Sequence, residues 1–196
     1  MTINSQIKVL AEKYSTELSK QIQLRRKEMR DDDKSHHMIY AVLGITKDEG
    51  EKIDYYQNVG RFLYKYVGSF LEDVTILCFE HKFKNAQRKI KIPNLLGTRP
   101  KTFEIDCLVN KNAYEIKWRD ATTDGDHIAK ENTRLKSIQK HGLVPIRLMF
   151  YSPNREQAKK IQAALRTLYT DMGGSYYSGT EAWNYLQKTT DIDLKN

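Results

Sequence analysis

Residues 103–120 read FEIDCLVNKNAYEIKWRD, and this stretch restricts what the chain can fold into more than any other. Two short segments rich in β-branched and aromatic residues flank Asn110-Lys111, the pattern of a hairpin closed by a two-residue turn. Such a turn pairs Val109 with Asn112 and so fixes the register: Cys107 with Tyr114, Ile105 with Ile116, Phe103 with Trp118. Side chains alternate along a strand, so those last six share one side. The other side then places Asp106 opposite Glu115 and Glu104 opposite Lys117. Apolar residues meet apolar ones and polar residues meet polar ones, an agreement that the turn alone does not impose.

Directly opposed residues have Cβ atoms about 4.5–5.5 Å apart, and two carboxylates so placed repel unless something neutralises them. A hard divalent cation does so, because Mg²⁺ takes one or two carboxylates plus water and phosphate oxygens. It also lowers the pKa of a water and draws charge from a phosphate. Lys117 stands two residues beyond Glu115 on the same side, where an ammonium can orient water or offset developing charge. Asp106, Glu115 and Lys117 thus have the composition of a metal-dependent phosphodiester site, with both acids as metal ligands. The bare spacing arises by chance about once in a chain of this length. Its competitor is a solvent-facing hairpin carrying a Glu104–Lys117 pair. The strand–turn–strand setting and the consistent register favour the site.

Around the hairpin, apolar residues at Ile7, Leu10, Tyr14, Leu18 and Ile22 predict an amphipathic helix over 4–29, interrupted by DDDKSHH. A second helix is predicted over 51–72, followed by a buried strand in the short β-branched run VTILCF (74–79). After the hairpin come a helix from about 126 to 141, stopped by Gly142, and a strand in GLVPIRLMFYS. Pro145 requires that strand to lie at an edge or to start irregularly. Helices in NREQAKKIQAALRTLYTDM and GTEAWNYLQKT complete the chain. The order gives an α/β fold, a mixed central sheet flanked by helices with an N-terminal helical extension. The expected division is an extension over residues 1–50, packed on a core over 51–196.

Lysine and arginine total 33 against 25 acids, a formal net charge of +8 that suits nucleic acid as a partner. The basic stretches KQIQLRRKEMR (20–30) and HKFKNAQRKIK (81–91) contribute, although each alone reads equally as a solvated surface. No apolar run approaches the roughly 20 residues that span a bilayer. MTINSQIKVLAEKYS lacks the basic-then-apolar order of a secretory signal. Cys78 and Cys107 lie far apart with no CxxC, so neither a zinc site nor a disulfide framework is indicated, and a cytoplasmic location fits.

With those residues in view, the sequence resembles the PD-(D/E)XK nuclease superfamily, and within it the type II restriction endonucleases. Asp106 followed by YEIKW, with Glu115 and Lys117 as the E-x-K element, matches the central motif, and the element order matches over about 60–150. The longer text GTRPKTFEID…YEIKWRDATTDGDH is similar to the ApaLI-like group. Ile105 stands where a proline often precedes the first acid, a position that contributes no ligand. The resemblance implies hydrolysis of double-stranded DNA at a specific short site, Mg²⁺ as cofactor (one or two ions), and a homodimer able to read a palindrome. It also implies a further glutamate from the helix before the first core strand. Glu72, in GSFLEDV, occupies that place and reads equally as a helix end beside Asp73.

The DNA-facing candidates each have a plainer alternative. Arg119 suits a phosphate or a bidentate guanine contact, and equally a surface ion pair. Thr122, Thr123 and Asp124 in ATTDGD suit a DNA-facing loop or a helix-start turn. Lys130, Asn132 and Arg134 on the next helix suit phosphate tracking or ordinary exposure. His36-His37 attracts attention as a metal pair, but adjacent side chains are expected to point apart, which favours a structural or surface role. Two other functions stay open: a structure-specific or repair nuclease on the same core, and a non-catalytic DNA-binding protein with vestigial acids.

Overall fold

Helix-start chemistry sets the N-terminal elements. The structure is a computed structural model and describes residues 2–97, 99–120, 122 and 124–195. Helix α1 (Ile3–Asp31) begins at Thr2, whose hydroxyl accepts from the Ser5 N–H at 3.3 Å. A turn at Lys34, with φ +56°, leads into α2 (His37–Val42). Thr46 and Glu49 then form a reciprocal capping box: the Thr46 N–H donates to Glu49 Oε2 at 2.9 Å and the Glu49 N–H to Thr46 Oγ1 at 3.4 Å. That box starts α3 (Lys47–Lys82). Tyr14 meets Tyr66 and Phe70 edge-on, with ring centroids 6.3 and 5.8 Å away, so the α1 stripe packs against α3. The chain divides into two compact units, Met1–Phe70 and Leu71–Asn196.

Helix α3 corrects one expectation. VTILCF is not a strand but the last turns of this helix. Leu71, Val74, Thr75, Ile76, Cys78 and Phe79 are all buried. A helix covered on nearly every side carries the same unbroken apolar run as a buried strand, so periodicity does not separate them. The Thr75 hydroxyl donates to the Leu71 carbonyl at 2.6 Å, which absorbs its polarity within the helix.

The second unit holds a five-stranded mixed sheet in the order β1-β2-β3-β4-β5. Its strands are β1 (Gln87–Pro93), β2 (Thr102–Val109), β3 (Asn112–Arg119), β4 (Val144–Tyr151) and β5 (Ser175–Ser178). The first three run antiparallel to their neighbours, and β3, β4 and β5 run parallel. The first strand therefore comes from the basic stretch rather than from VTILCF. QRKIKIP is an edge strand with mostly exposed side chains, and its Arg and Lys residues guard that edge against further pairing. Strand β4 lies inside the sheet; Pro145 is tolerated because pairing to β5 starts only at Ile146.

Helices α4 (Asp126–Lys140) and α5 (Glu156–Asp171) cover one face, where Leu135, Ile161, Leu165 and Tyr169 pack with Met149 and Tyr176. The end of α3 and helix α6 (Thr180–Thr190) cover the other. There Phe79 meets the Tyr114 ring at 4.4 Å and Phe150 meets Trp183 at the same distance. Gly142, at φ +70°, closes α4 as expected, in a backbone region that costs other residues strain. Cys78 and Cys107 are both free and buried. Among the described residues no helix is long and apolar enough to cross a membrane.

Candidate active site

The hairpin turn is where the sequence places it. Asn110 adopts φ +55°, and Val109–Asn112, Leu108–Ala113 and Cys107–Tyr114 pair in the expected register. There the β2–β3 pairing ends, so the anticipated opposition of Asp106 with Glu115 and of Glu104 with Lys117 does not continue as a ladder. Instead, Asp106 Oδ2 accepts the Ile116 N–H at 2.7 Å. A side chain has taken a hydrogen that would otherwise go to a strand carbonyl, so the Ile116 N–H is satisfied where the ladder stops. The fork still aims Asp106, Glu115 and Lys117 at a common place.

The electrostatics follow from this crowding. Asp106 is buried, and burial together with the adjacent Glu115 charge pushes its carboxyl up to about 7, against the pull of Lys117 and the Ile116 N–H. Glu115 is shifted the opposite way. Burial would raise it, but the Arg134, Lys117 and Arg147 charges outweigh burial and hold it below the usual carboxylate range. Lys117 Nζ lies 2.6 Å from Glu115 Oε1, and Arg134 Nη2 bonds Glu115 Oε2. The Lys117 ammonium is itself held charged by Glu115 and Asp106 in spite of its burial.

Glu72 lies on α3, where its Oε1 pairs with Lys89 Nζ at 2.8 Å. Lys89 has φ +49° and falls in a gap of the β1–β2 register between Arg88–Cys107 and Ile90–Ile105, beside Asp106. The Glu72 charge reaches Asp106 and adds to its upward shift. The three carboxylates nevertheless do not close into a compact cluster.

Behind Glu115 runs a buried chain of alternating charges that sequence reasoning missed. Arg134 Nη1 sits 3.1 Å from Glu131, and its Nη2 also donates to the Glu104 carbonyl at 3.2 Å. Arg147, fully buried on β4 and beside Glu115 in the parallel register, sits 3.6 Å from Glu131 and 2.6 Å from Asp120. The Tyr169 hydroxyl donates to Glu131 at 2.6 Å, and His127 Nε2 lies 3.2 Å from Asp120. A signal was present: one arginine inside the apolar run GLVPIRLMFYS has to find carboxylates, since a lone buried charge is prohibitively costly.

The DNA-facing candidates separate. Arg134 is buried in this chain of charges and is not a surface cation. Thr122 and Asp124 build the helix-start turn: the Thr122 N–H donates to Asp120 Oδ1, the Asp124 N–H to Thr122 Oγ1 and the Asp126 N–H to Asp124 Oδ1. Thr123 lies outside the described residues. Lys130 is exposed. Arg119 Nε and Asn132 Oδ1 are buried without a hydrogen-bond partner.

This donor set fits a hard divalent ion. Asp106 and Glu115 offer oxygens, and each Glu115 oxygen keeps a second lone pair beside its bond to Lys117 or Arg134. A cation would offset both the burial of Asp106 and the Glu115 charge beside it, the two causes of its upward shift.

Searches of curated proteins and of solved structures found no match. A family profile describing ApaLI-like restriction endonucleases matches residues 1–196, the whole chain. With this match over its entire length, the chain belongs to the ApaLI-like restriction endonuclease family, type II enzymes that are site-specific DNA nucleases.

Proposed function

We propose that this protein hydrolyses phosphodiester bonds of double-stranded DNA at the fork between β2 and β3, using a metal-activated water. The observation that carries this reading is the convergence of Asp106, Glu115 and Lys117, with Lys117 Nζ 2.6 Å from Glu115. Asp106 and Glu115 would hold Mg²⁺, and Glu72, now paired with Lys89, would be a further ligand or would orient a water on the ion. The bound ion would supply charge that acidifies a water and relieves the negative oxygens of the phosphate.

The chain's own groups supply the rest. The Ile116 N–H fixes one Asp106 oxygen and thereby the direction of the other. Arg134 and Lys117 fix the two Glu115 oxygens. Lys117, its side chain partly exposed although its ammonium is crowded by the two acids, would orient the attacking water and meet charge as it develops on the phosphate. Arg119 and Lys130 are the proposed phosphate contacts. Two copies related by a two-fold axis would present equivalent sites to a palindrome.

Digestion of linear duplex DNA with Mg²⁺ tests the reading. Wild type should give discrete fragments, whereas Asp106→Asn and Lys117→Ala should each lose about 10²-fold or more of the rate while binding duplex in Ca²⁺. Wild-type turnover in either variant would refute the site, and cutting confined to junctions or flaps would point to a repair nuclease.

A further inference from the structure

The sequence led us to expect the adjacent His36 and His37 to point apart, and they do not. Both Nε2 atoms lie 2.8 Å from the same oxygen, Oδ2 of Asp54 on α3. Two imidazoles bonded to one carboxylate oxygen must each direct a proton at it, and a single divalent cation could replace both. Among the described residues this is the trio of His, Cys, Asp or Glu side chains whose ligand atoms lie within 4.8 Å of one another. All three belong to the first unit.

We propose that His36, His37 and Asp54 form a second metal site, taking a borderline transition ion of the Zn²⁺ class and not the hard Mg²⁺ assigned to Asp106 and Glu115. Imidazole nitrogen selects for such ions, whereas Mg²⁺ favours oxygen donors. Ligand atoms of a tetrahedral zinc stand about 3.3 Å apart, so the imidazoles need move back from Asp54 by only about half an ångström.

The surroundings have the second layer of contacts that holds metal ligands in place. His36 Nδ1 faces Asp32 Oδ2 at 3.8 Å, an acceptor for the proton that Nδ1 carries once Nε2 binds a metal. The Tyr40 hydroxyl donates to Asp54 Oδ1 at 2.9 Å and leaves Oδ2 to the histidines. The Tyr40 ring stacks on His37, with centroids 5.2 Å apart. Gly50 accommodates this stack, since a Cβ there would lie 2.9 Å from the Tyr40 ring and 3.5 Å from His37. A cavity of about 330 Å³, lined also by Arg26, Lys34, Glu51 and Asn58, opens onto the trio and leaves room for a fourth, exogenous ligand.

The test is zinc uptake by metal-free full-length protein in excess Mg²⁺, with bound metal counted after dialysis. The expected result is one Zn²⁺ per chain, retained in the Asp106→Asn/Glu115→Gln double variant and weakened at least tenfold in His36→Gln and His37→Gln. His36 is partly exposed, so His36→Gln should keep its helical circular dichroism. Because the chain has five histidines, imidazole NMR of the unmutated protein gives an answer independent of any variant. Zn²⁺ must shift the His36 and His37 resonances selectively. No zinc uptake by the wild type, undiminished uptake in folded His36→Gln, loss confined to the Asp106/Glu115 variant, or shifts at other histidines would each overturn the proposal.

Discussion

Asp106 and Glu115 are neighbours that titrate in opposite directions, and each leaves its own mark on stability. The folded, metal-free protein keeps a proton on Asp106 up to about pH 7, whereas the unfolded chain releases it near 3.8. The fold therefore binds more protons between those values, and stability falls as pH rises through that window. Glu115 behaves oppositely: its contribution is present above the ordinary carboxylate range and is lost as pH falls through it. In chelator at pH 8, Asp106→Asn should then unfold at a higher urea concentration than wild type, with the gap closing toward pH 4. Equal midpoints at pH 8 would mean that the Asp106 charge is already balanced. The acids and Lys117 were legible in the sequence because strict alternation reveals a charged strand face. Glu131 does not stand out in the sequence and Arg134 reads there as a DNA-facing or exposed cation, although both fall in the same helical stripe as Leu135 and Ile138. A charge on a helix is assumed to be solvated, and only tertiary partners reverse that assumption.

Among the elements, the hairpin, α1, α4, β4, α5 and α6 follow from periodicity, caps and turn residues. The failures have physical causes: VTILCF is apolar on all sides because the helix end is buried, β1 is disguised by the charges that protect an edge, and β5 has only four residues. Arg134 shows how the elements are joined. From α4 it bonds Glu115 on β3 and the Glu104 carbonyl on β2, and so braces helix to fork. Arg134→Leu leaves Glu115 and Glu131 buried with fewer partners and should cost about 3–5 kcal/mol in urea unfolding. A loss below about 1 kcal/mol would show that the carboxylates find other cations.

Across the whole molecule, the +8 charge makes salt the simplest probe of DNA contact. If six or more phosphates are neutralised, duplex affinity in Ca²⁺ should fall roughly 10³-fold between about 50 and 200 mM salt. A flat profile would remove the phosphate-binding surface from the account. Family membership over residues 1–196 is a property of the entire chain, whereas the bases it reads depend on which side chains enter a groove, and composition carries no record of that. The bond from the Ile116 N–H to Asp106 has a practical consequence at this scale. On the proposed reading that amide would be a native reporter, its NMR frequency responding to a proton, cation or substrate that engaged the acid beside it. One backbone resonance would thus let an observer watch the enzyme load and discharge without any attached dye.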